Sequence, residues 1–197
     1  TNMDSPLGSA VGNSLEVIES VEILKGKTSG NLWTVCRELS CRMLMLAGIG
    51  DKDECGRLVD EAVESGEALK RFEMMVKLQG GDVSYIEDTS KFRKASFSRE
   101  VYAPADGYIT HMDSEKIGLT AVLLGAGREK KDDDINHAAG IIIAAKTGDF
   151  VKRGELLATL LADDESRLDG AESRYLSAVS IGDKKPAEQP MILDYID

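Results

Sequence analysis

Histidine, cysteine and long apolar runs are scarce in this chain, and each shortage removes a class of chemistry. Only two histidines, His111 and His137, stand in 197 residues. They lie far apart, so a zinc cluster has almost nothing to build on. The three cysteines, Cys36, Cys41 and Cys55, form neither a C-x-x-C motif nor an even set. Cys36 and Cys41 fall inside a helical pattern, which predicts buried thiols. The longest apolar runs, Gly140–Ala145 and Leu156–Ala162, fall far short of the roughly 20 residues that span a bilayer. No secretory n-region and h-region precede them, so no membrane partner and a cytoplasmic location are expected. Positive charge is also in deficit, with 24 Lys and Arg against 35 Asp and Glu, a net charge of −11. That balance argues against nucleic acid as a partner. It equally argues against long-range steering of an anionic substrate.

What is present is ordinary soluble composition, 42% apolar and 30% charged, enough for one large or two small domains. The first half reads as helices. "NSLE" at 13–16 fits a capping box, with Asn13 accepting from the amide of residue 16 and Glu16 reaching back to the cap amide. A helix then runs from Ser14 to about Lys25, with Leu15, Ile18 and Val21 on one face and Gly26 past its end. Asn31 can cap a second helix, whose Leu32, Val35, Cys36, Leu39, Met43 and Leu46 recur at three to four residues until Gly48 and Gly50. A third pattern covers 52–64. A fourth covers 67–79, with Leu69, Phe72, Met75 and Val76 inward. The methionines Met43, Met45, Met74 and Met75 read as core filling.

Residues 82–98 read as a connection, and the texture after them is β-like. "REVYAPADGYITHM" places two short strands around the Pro104–Gly107 turn. A helix over Ser114–Leu124, a glycine and charge loop "GAGREKKDDDIN", and strands in "AGIIIAAK" and "LLATLLAD" follow. A helix over 165–180 and a last extended piece over 190–196 complete the chain. The expected class is α+β, a helical segment over 1–95 followed by a mixed α/β domain over 99–197.

Four blocks, "TNMDSPLGSAVGNSLEVIES", "ALKRFEMMVKLQGGD", "VYAPADGYITHMDSEKIGLTAVLLGAGREKKDDDIN" and "GIIIAAKTGDFVKRGELLATLLAD", are specific. In order and in text they resemble the C-terminal half of the pyrimidine-nucleoside and thymidine phosphorylases. The resemblance implies a hammerhead-like C-terminal domain. It also implies reversible phosphorolysis, in which inorganic phosphate attacks C1′ of a thymidine- or uridine-type nucleoside and the base leaves. The family's glycine-rich phosphate segment and base-contacting residues would lie upstream of Thr1. On that basis Thr1 is an interior position, the missing N-terminal half is the necessary partner, and this chain alone would be inactive. The whole enzyme would be a cytoplasmic homodimer.

The same resemblance assigns part of a potassium site to the opening stretch. The carbonyls fall on Leu7 and Ala10 and the carboxylate on Glu19. Pro6, Gly8 and Gly12 favour an irregular loop there, whose carbonyls are not spent on helix bonds, and such cations take oxygen ligands. Read locally, Glu19 is a solvated helix acid and Glu16 a cap. The "LGAGREKK" loop is neither a Walker loop nor a complete G-x-G-x-x-G, and Asp132–Asp134 cancel its charge. It reads as a mobile loop or, by resemblance, as one that orders on closure, with Arg128 foremost. "KTGDFVKRGELLATL" is also similar to biotinyl and lipoyl carriers, but no lysine stands at a hairpin tip, since Lys146 precedes the turn. His111 and His137 have no partners for acid–base work. A carrier module and a non-catalytic structural domain remain as alternatives to the enzyme.

Overall fold

The computed structural model describes residues 1–128 and 130–196. The chain divides into two compact units. One comprises 18–91 with the C-terminal segment from 191, and the other comprises 2–17 with 92–190. The architecture is α+β.

The helical unit holds most of α1 (Asn13–Leu24), then α2 (Gly30–Leu46), α3 (Lys52–Glu64), α4 (Glu67–Leu78) and the single turn α5 (Ser84–Glu87). A short 3-10 turn at Thr89–Lys91 follows. Start and stop chemistry explains these bounds. The Asp51 carboxylate accepts from the Glu54 amide at 2.9 Å and caps α3. Gly48, at φ +72°, ends α2, and the Ile49 amide returns to the Leu44 carbonyl. Arg37 joins α2 to α3 by a fork on Asp60, both bonds 2.6 Å. Its guanidinium holds the Asp60 carboxyl below the usual range. Only Val21, Val35, Cys41, Cys55, Val63 and Ile86 are buried apolar side chains among the described residues of this unit.

Three expectations fail here for one reason. Cys36 is exposed, while Cys41 and Cys55 are buried. Helix α4 has no buried residue; Met75 is exposed, and Leu69, Phe72 and Val76 are only half-buried. Three of the four methionines do not fill a core, since Met43, Met74 and Met75 are exposed, while Met45 is half-buried. The helices are amphipathic as expected, but part of their apolar surface has no cover.

The other unit contains two antiparallel sheets. Strands β1 (Ala10–Gly12), β2 (Phe97–Tyr102), β4 (Gly140–Ile143) and β6 (Leu156–Ala162) form one, in the order β1-β4-β6-β2. Strands β3 (Gly107–Met112), β5 (Phe150–Val151) and β7 (Val179–Gly182) form the other, in the order β5-β3-β7. The two strands flanking Pro104–Gly107 therefore lie in different sheets: β2 pairs with β6, and β3 pairs with β5 and β7. Helices α6 (Ser114–Ala121), continued by a π turn at Val122–Ala126, and α7 (Leu168–Ala178) pack on the sheets. The helix expected over 165–180 is shorter, because Glu165–Arg167 is a 3-10 turn and β7 begins at Val179. The core is one cluster, including Val101, Ile109, Ile141, Leu157, Leu160 and Tyr175. No strand forms over 190–196.

Candidate functional site

The opening stretch is irregular through Ser9, as its proline and glycines suggest, and becomes a strand only at Ala10–Gly12. Ser9 accepts from the Ile143 amide at 2.7 Å, and β1 then pairs with β4 so that Gly12 faces Gly140. The two backbones come so close that only glycine fits. A Cβ on Gly140 would lie 2.4 Å from the Val11 carbonyl oxygen, and one on Gly12 would lie 2.6 Å from that of Ala139. Both residues also sit near φ +150°, where side chains are disfavoured.

Helix α1 starts at once after this contact, and its first turn grips the loop seen in the sequence as "GAGREKKDDDIN". Glu16 accepts from the Gly12 amide at 2.9 Å. The capping box is thus shifted: Glu16 does hold the helix start, but through Gly12, while Asn13 is already helical. The freed Asn13 side-chain amide donates to the Ala126 carbonyl at 2.7 Å. Ser14 donates to the His137 carbonyl through both its amide, at 3.1 Å, and its hydroxyl, at 2.5 Å. One helix end therefore holds both ends of the loop.

A second clamp closes the loop's far end. The Asn136 amide donates to the Gly125 carbonyl at 2.9 Å, and its side chain donates to Asp163 at 2.9 Å. Asp163 also accepts from the Ser96 amide at 2.8 Å and from Arg93 at 2.6 Å. Arg93 reaches the Asn136 side-chain oxygen as well, at 2.6 Å. Arg93 first, then the Ser96 amide, hold the Asp163 carboxyl far below the ordinary carboxylate range. Sequence reasoning missed this clamp, because Arg93, Asn136 and Asp163 come from three distant stretches with no shared motif.

The expected site residues fall as follows. The Leu7 carbonyl accepts from the Lys146 ammonium at 3.3 Å. Ala10 lies on edge strand β1; with Ser9 bonded to β4, ladder alternation turns the Ala10 carbonyl to the outer edge. These two residues belong to the sheet unit. Glu19 lies on α1, half-buried, three residues beyond Glu16, in the stretch grouped with the helical unit. Arg128 is exposed in the clamped loop, and the neighbouring Glu129 lies outside the described residues. His111 is exposed on β3, and His137 uses its carbonyl to hold Ser14. Lys146 is not presented as a carrier lysine: it opens the Lys146–Asp149 turn, and its ammonium bonds Leu7. Among the described residues no three His, Cys, Asp or Glu side chains gather as a metal cluster, and no helix is long and apolar enough to cross a membrane.

Comparison with known proteins converges on one family. The profile of the pyrimidine nucleoside phosphorylase C-terminal domain matches residues 108–182. Pyrimidine-nucleoside phosphorylase of Bacillus subtilis is 40% identical over 167 residues, covering 84% of this chain and 39% of the relative. That of Staphylococcus aureus is 36% identical over 184 residues, covering 93% and 42%. That of Geobacillus stearothermophilus is 33% identical over 194 residues, covering 98% and 44%. The chain thus spans about two fifths of the length of these curated relatives. By the matched C-terminal domain and by similarity along nearly its whole length, the chain belongs to the pyrimidine-nucleoside phosphorylase family.

Proposed function

We propose that this chain acts as part of a pyrimidine-nucleoside phosphorylase, a pentosyltransferase that uses inorganic phosphate as co-substrate. The reaction is reversible phosphorolysis: a phosphate oxygen bonds to C1′ of the pentose, the glycosidic C1′–N bond breaks, and the base departs with that electron pair. What carries the reading is identity of 33–40% to enzymes of that name over 84–98% of the chain. Such a reaction needs an anion site, a grip on the base and closure that excludes water. Thymidine- and uridine-type nucleosides are both in the proposed substrate class, and a cytoplasmic homodimer is the proposed form.

This chain's own contribution is scaffolding and part of a potassium site, through the carbonyls of Leu7 and Ala10 and the carboxylate of Glu19. The donor chemistry fits. The Leu7 carbonyl already attracts one monovalent cation, the Lys146 ammonium, and all three donors are oxygens of the kind such cations take. When bound, potassium would supply a fixed positive charge. Ala10 lies on β1, paired with β4, and Glu19 lies on α1.

The test mixes the chain with a separately produced N-terminal portion of the Bacillus subtilis relative. Phosphate-dependent release of uracil or thymine is expected from the mixture and not from the chain alone. Glu19→Gln is expected to raise the potassium concentration required for thermal stabilisation of the mixture. No base release from the mixture would sink the enzymatic reading and favour a structural domain.

A further inference from the structure

The helical unit carries a bare apolar face. On α2, Leu39, Met43 and Leu46 follow at four and three residues, which is one side of a helix, and they are 53%, 64% and 89% exposed. On α4, Met74 and Leu78 repeat the spacing at 51% and 81% exposed. A groove of about 630 Å³ opens in this unit, with Leu24, Trp33, Met43, Leu44, Leu58 and Phe72 in its walls. Of all its lining residues only Ser20 and Ser40 carry a hydroxyl, and none is charged. Single exposed apolar residues need no explanation, but contiguous ones mark a surface that another body covers.

We infer that this groove and stripe seat the N-terminal portion of a pyrimidine-nucleoside phosphorylase polypeptide, through an apolar segment of that portion. The inference rests on the functional reading above and adds to it a place. Three observations favour this occupant. The match takes 84–98% of this chain but only 39–44% of the relatives, so roughly three fifths of each relative has no counterpart here. The matched C-terminal domain at 108–182 lies after the helical unit in the chain, which puts the unmatched portion of the relatives upstream of that unit. An uncharged groove, finally, suits aliphatic and aromatic anchors rather than a phosphate or an acidic or basic peptide.

Trp33 is the one tryptophan of the chain and lines the groove, so its emission reports occupancy. The 197-residue chain is titrated with the N-terminal three fifths of the Bacillus subtilis relative, any tryptophan of which is replaced by phenylalanine. A saturable one-to-one blue shift is expected. Met43→Glu should weaken it at least tenfold with unchanged far-ultraviolet dichroism, because Met43 is already solvent-facing. Unmoved Trp33 emission overturns the inference, even where base release appears in the same mixture; the enzymatic reading then stands without this surface. A blue shift without base release keeps the surface and removes that reading. If the chain alone sediments as a dimer that Met43→Glu returns to monomer, the face belongs to a second copy and the inference is overturned.

Discussion

The two units use the same kind of amphipathic text to opposite ends. In the sheet unit both sheets and two helices turn their apolar sides onto one cluster, from Val101 to Ala178, and the largest side chains there are wholly enclosed. In the helical unit the periodicity is also clear, yet α4 buries nothing and α2 buries only Val35 and Cys41. Helical stability in proteins comes mainly from packing of the amphipathic face, and a small unit buries a small fraction of its surface in any case. The difference teaches that a hydrophobic period fixes which side of a helix wants cover, but not whether that cover is in the same polypeptide.

Substitutions at matched depth break or sharpen this contrast. The largest loss is expected at the Gly12–Gly140 contact. Gly140→Ala sets a Cβ against backbone at 2.4 Å, in a region of φ that side chains avoid, so about 3 kcal/mol or more should be lost. Weakened amide protection along β1 and β4 in hydrogen exchange is the readout; unchanged protection would mean the strands separate at no cost. Next comes Leu160→Ala in the enclosed core, at about 2–5 kcal/mol, set against Met43→Ala on the bare face of α2, at within about 0.5 kcal/mol. Urea midpoints that shift equally would abolish the distinction between the units.

The sequence made the helices legible because glycine and acidic caps bracket clear periods: α3 lies where 52–64 was expected, and α4 ends one residue early. It hid β1, β5 and β7, which are two to four residues long. Strands that short carry no alternation to read, and they exist because a distant strand pairs with them. The same limit governs the site. Glu16 was legible as a helix holder from local spacing, whereas Gly12 as its partner depends on the contact with Gly140. The Arg93–Asn136–Asp163 clamp has no local signature at all. Burial of Cys36 and the methionines was misread because periodicity was taken for depth.

That clamp gives the next prediction, and a pH test with a definite sign. Asp163 has a folded pKa depressed below its unfolded value. Its contribution is therefore fully present above the ordinary carboxylate pKa of about 4 and is lost as pH falls through the depressed one. Asp163→Asn should cost about 1–3 kcal/mol at pH 7, with the same cost at pH 5. The gap from wild type should narrow only below about pH 4. A gap that closes already between pH 7 and 5 would show that a group other than Asp163 sets the pH dependence. Tyr175 supplies a change of opposite direction: it is fully buried with its hydroxyl unpartnered among the described residues. Tyr175→Phe should raise the thermal midpoint, by the equivalent of about 1 kcal/mol, because it removes a desolvated donor with no bond to lose. A fall in the midpoint would mean that the hydroxyl has a partner after all.

The smallest effect is expected at the tail of the helical unit, where an aromatic ring finds cover that α4 lacks. The Arg42 guanidinium lies 3.8 Å from the centre of the Tyr195 ring, and the Lys52 ammonium lies 5.4 Å from it. Glu38 completes the group: burial pushes its carboxyl up, but hydrogen bonding with Tyr195 and Arg42 outweighs this and holds it below the usual range. A cation over a partly exposed ring contributes about 0.5–1 kcal/mol, and it depends on the ring rather than the hydroxyl. Tyr195→Ala should thus lower the urea midpoint read by Trp33, while Tyr195→Phe keeps the ring and should lose less than half as much. Equal losses would assign the tail's hold to the hydroxyl and Glu38. No loss from either would mean that the last residues add nothing to a unit whose apolar face already lies bare.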